Sequence, residues 1–186
     1  KEKEFDENGR IYIGMDFNID PMSASICQII DGVLHQFDEI AMYGSNTEEL
    51  CQEIMNRYNQ AMITVCPDPA GRQRKTSANG RTDVTILQKY FNVEVKRKHD
   101  AVRDRINAVN SVLESADGTI RFSIDPKCTN SMRCLERQVY KDGTSVPDKD
   151  SGLDHSNDAL GYLVAHLSPI KKKVRETEIP TRFTHM

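Results

Sequence analysis

The chain has 186 residues, of which 38% are hydrophobic and 28% charged, and a formal net charge of -3. That length suits one compact domain, and the composition is that of a globular chain rather than a disordered or collagen-like one. No run approaches the roughly 18 to 20 consecutive apolar residues of a membrane span, and Lys1-Glu2-Lys3-Glu4 lacks the apolar core of a signal peptide. Five cysteines, Cys27, Cys51, Cys66, Cys128 and Cys134, are odd in number and form no C-x-x-C pair, which argues against a disulfide framework or zinc ribbon and for a reducing cytosol. The first residue is Lys1 rather than an initiating Met, which points to a piece of a longer polypeptide, with residues 1–10 as a linker remnant.

Taken in chain order, Ile11, Ile13, Met15 and Phe17 alternate as on a strand that ends at Asp16. Two further apolar runs, 22–30 and 33–42, flank Asp31-Gly32, the dipeptide of a tight hairpin. The expectation is an antiparallel meander of three strands. Asn46 or Thr47 can cap a helix over 46–60, with Glu48 and Glu49 in its first turn and Leu50, Ile54 and Tyr58 on one face. The short run 62–66 reads as a buried parallel strand with Asp68 just beyond its carboxyl end. Residues 69–82 form a polar loop, 83–91 a helix and 92–97 a strand.

An amphipathic helix follows, capped by Asp100, with Val102, Ile106, Val109 and Leu113 inward and Arg103 and Arg105 turned away. Residues 119–125 alternate as a strand, 129–140 resume helical spacing, and a last helix over 156–167 buries Ala159, Leu160, Leu163, Val164 and Leu167. The lysine-rich stretch 169–186 reads as a charged tail around a domain of residues 11–168. A meander followed by strands alternating with helices implies an α/β fold: a mixed central sheet, antiparallel first and parallel afterwards, with helices on both faces.

Open α/β sheets build sites at the carboxyl ends of strands, where Asp16 and Asp68 lie, and Asp158 falls in the opening turn of the last helix. Each aspartate has a plain structural reading as a turn or helix-start residue. Together they suggest a metal, because Asp16 ends an apolar strand where an unpaired carboxylate is costly, and converging carboxylates repel unless a cation neutralises them. Oxygen-only ligation selects Mg²⁺ or Mn²⁺, and two such ions can drive phosphodiester hydrolysis. Charge distribution adds a partner: ten Lys/Arg against four acids between Gly71 and Arg105 give a local +6 and leave -9 for the remainder. That stretch is either a solvated face or a surface for nucleic-acid phosphates.

The order Ile13-Gly14-Met15-Asp16-Phe17, Asp20-Pro21, Pro67-Asp68-Pro69-Ala70-Gly71 and Asp154-His155-Ser156-Asn157-Asp158-Ala159-Leu160-Gly161-Tyr162 resembles the C-terminal nuclease domain of the large terminase subunit of tailed bacteriophages, over roughly residues 11–167. The resemblance implies a ribonuclease H-like fold and an endonuclease that cuts concatemeric double-stranded DNA with two divalent metals during genome packaging, in the cytoplasm of an infected bacterium. By position, Asp16, Asp68 and Asp158 would be the catalytic, metal-binding acids. Asp154 would be an auxiliary ligand or a cap, and Asp20 and His155 auxiliary residues or an ordinary turn and a solvated imidazole.

The family's full-length protein carries an N-terminal ATPase motor and works with a portal and a small terminase subunit. This chain lacks the ATPase phosphate loop, since no glycine precedes Lys75 in Gly71-Arg72-Gln73-Arg74-Lys75-Thr76. Arg72, Arg74, Lys75 and Arg81 are read instead as contacts to the DNA backbone. Rival readings are a resolvase- or transposase-type nuclease of the same fold and a non-catalytic docking module of a packaging motor.

Overall fold

A computed structural model describes residues 5–18, 20–59, 61–73 and 81–170. Its centre is a six-stranded sheet in the order β5-β4-β1-β2-β3-β6. Strands β1 (Ile11–Asp16), β2 (Met22–Ile30) and β3 (Val33–Met42) form the expected meander. The hairpin between β2 and β3 turns at Asp31 (φ 53°) and Gly32 (φ 75°), the paired positive angles its tight turn requires. Strands β4 (Ile63–Pro67) and β5 (Asn92–Val93) add in parallel beside β1, and β6 (Phe122–Ile124) adds in parallel to β3.

Helices cover both faces. Helix α1 (Thr47–Tyr58) and the short α2 (Asp83–Leu87) bury Leu50, Ile54, Ile86 and Leu87 against Ile11, Ile13, Met15, Ile26 and Val65. Helices α3 (Val102–Leu113), α4 (Thr129–Arg137) and α5 (Asp154–Leu167) lie on the opposite side, where Leu160, Leu163 and Val164 meet Cys27, Cys66, Val109 and Phe122. Period-two alternation sorts the strands between these cores. On β1, Ile13 and Met15 face α1, so Gly14 and Asp16 face α5.

Several elements differ from their sequence pattern. Of the two expected caps, Asn46 is the one that caps α1, and it does so with a capping box to Glu49. Asp100 does not cap α3: the N-cap is Ala101, and Asp100 instead takes the ammonium of Lys96 at 2.6 Å. The inward face of α3 is Arg105, Ala108, Val109 and Val112, and Val102 is exposed. Arg105, expected to point outward, is therefore a buried residue, because an acid on α5 awaits it there. The strand expected over 92–97 keeps only two residues, and α4 stops at Arg137, leaving Val139 exposed. Helix α5 begins two residues earlier than its pattern, at Asp154, which moves Asp158 into the second turn.

All five cysteines are free and buried. Burial pushes the Cys66 thiol up to about 12, so it is a protonated core group. Phe5 stacks against Phe37 with ring centroids 4.6 Å apart and Gln28 hydrogen-bonds the Asp6 backbone, so the segment read as a linker packs on the sheet from Phe5 onward. Most of the expected tail, residues 171–186, lies outside the described residues. Among the described residues no helix is long and apolar enough to cross a membrane.

Candidate metal centre

The site grows from strand register. Met15 pairs with Pro67 across the parallel β1–β4 ladder, so Asp16 and Asp68 are the next step on adjacent strands, and the Asp68 amide donates to the Met15 carbonyl at 2.9 Å. Both acids face α5 by the same alternation. Asp68 also starts a 3-10 turn over Pro69–Arg72, its Oδ1 accepting from the Ala70 amide at 2.9 Å. The turn-residue reading of Asp68 and its place at the site are thus compatible.

Helix α5 brings the other two acids. Asp154 and Asp158 stand four residues apart within one helix and therefore share a face. Their approach depends on Gly14: a Cβ there would lie 2.0 Å from the Ala159 carbonyl oxygen and 2.8 Å from the Leu163 side chain. No larger residue would let α5 sit this close to β1. Asp16, Asp68, Asp154 and Asp158 consequently line one groove of about 600 Å³, together with Phe17, Asp83, Lys149, His155 and Tyr162.

Electrostatics follow from burial. Asp16 is raised from 3.8 to about 6, first because burial removes water from its carboxylate, then because Asp158 repels it; a hydrogen bond from His155 pulls the other way. His155 Nδ1 lies 3.3 Å from Asp16 Oδ2, and its ring is 3.0 Å from the Asn18 amide nitrogen. His99 Nδ1 stands 3.4 Å from Asp68 Oδ1, so it belongs to this site as well as to the basic surface its sequence neighbours suggest.

The helix acids have stronger partners. Arg105 donates from Nη2 to Asp158 Oδ1 at 2.5 Å, and its guanidinium lies 4.4 Å from the centroid of the Tyr162 ring. Burial opposes the Arg105 charge, but Asp158 and Tyr162 outweigh it and hold the group above its ordinary value. Lys149 places Nζ 3.1 Å from Asp154 Oδ2 and 3.6 Å from Asp158 Oδ2.

Divalent metal fits this donor set on chemical grounds. Several carboxylates with imidazole nearby are ligands for a hard cation. Among the described residues Asp154 Oδ1 is buried without a hydrogen-bond donor, His155 Nε2 lying 3.8 Å away, and is an acceptor that a cation would satisfy. Asp16, raised first by burial and then by Asp158, is a carboxyl that a bound cation would favour in its ionised form.

Other expected residues fall elsewhere. Asp20 is exposed, is not among the groove's lining residues, and accepts the Gly44 amide at 2.8 Å, an ordinary turn role. Arg72 donates to the Val95 carbonyl at 2.9 Å, Arg81 is exposed, and Arg74 and Lys75 lie outside the described residues. Sequence reasoning passed over Arg105, Lys149, Asp83 and Tyr162. Tyr162 and Gly161 stood in the quoted α5 motif, and both serve Arg105: a Cβ on Gly161 would meet the Arg105 stem at 2.9 Å. Nothing local in the sequence singles out Lys149 among its neighbouring lysines.

A mixed sheet with this strand order, helices on both faces and acids at the β1 and β4 ends defines an α/β protein of ribonuclease H-like fold. The model of one family, the terminase RNaseH-like domain, matches residues 13–167, and the chain belongs to that family. Among solved structures, it resembles the large terminase of the thermophilic bacteriophage D6E at 19% identity and TM-score 0.65, over 84% of this chain and 40% of that one. It thus spans about two-fifths of that terminase. It also resembles the large terminase nuclease domain of bacteriophage SPP1 with bound Mn (19% identity, TM-score 0.55, 84% and 86% covered) and the nuclease of thermophilic phage G20c with bound magnesium (13%, TM-score 0.58, 88% and 84% covered). A search of curated proteins found no match.

Proposed function

We propose that this chain is the nuclease part of a large terminase subunit, an endonuclease that cuts concatemeric double-stranded DNA by metal-dependent phosphodiester hydrolysis during packaging. The observation that carries the reading is the convergence of Asp16, Asp68, Asp154 and Asp158 on one groove in a terminase-family fold. Asp16, Asp68 and Asp158 would hold two Mg²⁺ or Mn²⁺ ions, with Asp154 as a further ligand; structures of related nucleases with bound Mn and magnesium support this choice of metal. When bound, such ions supply an activated water and charge neutralisation at the leaving oxygen.

The chain's own residues do the rest. Arg105 fixes Asp158 through Oδ1, so this carboxylate presents its other oxygen in a set direction. His155, which lines the groove beside Asp16 and Asn18, would orient a water or shuttle a proton. Arg72, Arg74, Lys75 and Arg81 would grip phosphates without reading sequence.

The D6E terminase, longer than this chain, was also solved with ATP-gamma-S, which supports an N-terminal ATPase domain in the same polypeptide as partner. Portal and small terminase subunit complete the expected assembly in the host cytoplasm. The deciding test is cleavage of supercoiled plasmid by the purified chain with Mn²⁺, Mg²⁺ or EDTA. Wild-type protein should nick and linearise the plasmid only with metal, and Asp68→Asn should lose at least about a hundredfold of that rate while staying folded. Folded protein that cuts in neither metal would overturn the reading.

A further inference from the structure

Two cations press on the α5 acids, and they are held very differently. The Arg105 side chain is 8% exposed, stacked on Tyr162 and seated over Gly161. Of the two α5 acids it pairs with Asp158, through Oδ1. Lys149 is 58% exposed and comes from the segment between α4 and α5, yet it reaches Asp154, whose side chain is only 5% exposed, as well as Asp158.

Its backbone is positioned by a small hairpin. Tyr140 bridges Pro147, the Asp148 amide donates to the Val139 carbonyl at 2.9 Å, and Gln138 Nε2 donates to the Asp148 carbonyl at 2.6 Å. The segment delivers the ammonium to the Oδ2 atoms of both acids. On Asp158 that is the oxygen Arg105 leaves open.

A divalent ion seated among the four carboxylates would draw on the same two groups: Asp158 has only Oδ2 left beside Arg105, and Asp154, though its Oδ1 is open, already shares its charge with the ammonium. Ammonium and metal ion compete for these carboxylates, because two cations held within about 4 Å of the same groups repel each other. Of the two resident cations only Lys149 can leave cheaply: its stem is solvated, whereas extracting Arg105 would strip a buried guanidinium of its partners.

We propose that Lys149 is a displaceable counter-cation of this centre, occupying the Oδ2 atoms of Asp154 and Asp158 in the metal-free protein and setting metal affinity by competing for them. The proposal rests on the metal-nuclease reading above. It makes Lys149 a determinant of metal binding, while Arg105 is the permanent support of Asp158. Once displaced, the ammonium remains at the groove rim, where the anion to receive it is a phosphate of the nucleic acid.

The test is Mn²⁺ binding to the whole chain, followed by calorimetry and by the loss of the free-ion paramagnetic resonance signal, at about 0.15 M salt to screen distant charges. Three proteins are compared: wild type, Lys149→Met and Lys141→Met. Lys141 lies in the same segment but pairs at 3.8 Å only with the exposed Asp150, so its removal deletes one charge without touching the centre.

Lys149→Met should bind Mn²⁺ about tenfold more tightly than wild type, and Lys141→Met should stay within about twofold. Mn²⁺ should also raise the melting temperature of Lys149→Met by more than that of wild type. Unchanged or weaker binding by Lys149→Met, with wild type binding normally, would overturn the proposal and leave the nuclease reading intact. An equal gain in Lys141→Met would overturn it in favour of bulk charge. Absence of Mn²⁺ binding in all three would bring down the metal-centre reading and this proposal together.

Discussion

The acids of this groove come in two pairs of opposite character. Among the described residues, Asp16 and Asp68, at strand ends, have imidazoles as their near ion-pair partners, His155 at 3.3 Å and His99 at 3.4 Å, with Arg105 acting on Asp68 from farther off. Asp154 and Asp158, on α5, are held by a guanidinium and an ammonium. The difference follows from how each element reaches the site. Strand ends arrive in the dry interior of a sheet, where few long cationic side chains can follow. A helix flank is open to a neighbouring helix on one side, which supplies Arg105, and to a loop on the other, which supplies Lys149. The helix pair thus has strong cationic partners in the chain itself, whereas Asp16 is raised, first by burial and then by Asp158.

Separating the pairs should have the largest effect. Gly14→Ala would force α5 off β1, because the clash at 2.0 Å is with the Ala159 backbone, which cannot rotate away. We expect a loss of about 4 kcal/mol, at the top of the range for single substitutions, measured by urea denaturation. Mn²⁺ binding should weaken alongside it, since the strand and helix acids would no longer converge.

Neutralising the strand pair should act in the opposite direction. In the metal-free chain Asp16 has a folded value of about 6 against 3.8 for its ordinary one. The folded state thus binds more protons between these values, so this group's contribution to stability is greatest below about 4, falls as pH rises, and is a full penalty above about 6. Asp16→Asn removes the penalty. It should be the more stable protein at pH 7 by about 2 to 3 kcal/mol and gain little at pH 4, as read from denaturation at both values with EDTA. A mutant advantage of the same size at pH 4 would show that burial does not control this carboxylate.

Disabling the helix pair should cost somewhat less. Arg105→Met keeps most of the stem volume but strands Asp158 with Lys149 alone, and Asp158 is 19% exposed, which lets water take part of the burden. The expected loss is about 2 kcal/mol, below that of a fully buried pair. Arg105→Lys should restore little of it, because an ammonium cannot reproduce the planar stacking on Tyr162. Recovery by lysine would mean that charge alone, without the guanidinium plane, holds the helix acid.

How much of this was legible in the residues differs by element. The meander, α1 and the α5 stripe follow from alternation, an Asp-Gly turn, a capping residue and helical spacing, all of which are set by near neighbours in the chain. So does the placement of Asp16 and Asp68 beyond two strands. Asp20, by contrast, matched a motif yet serves a turn with Gly44. Arg105 was misread for a physical reason: an arginine on an amphipathic helix ordinarily points to water, and only a partner 53 residues away reverses that preference.

What the sequence by itself determined is the kind of fold and the position of two aspartates at strand ends, because periodicity and turn chemistry are local; the pairing of β4 with β1 and of β6 with β3 joins distant strands and is tertiary. What only the tertiary structure decided is the balance of charge within the groove: that Gly14 admits α5, that Arg105 turns inward to Asp158, and that Lys149 reaches Asp154 and the Asp158 oxygen Arg105 leaves open. Those contacts join residues far apart in the chain, and Coulomb interactions depend on distance in space and on excluded water, neither of which spacing along a sequence can convey.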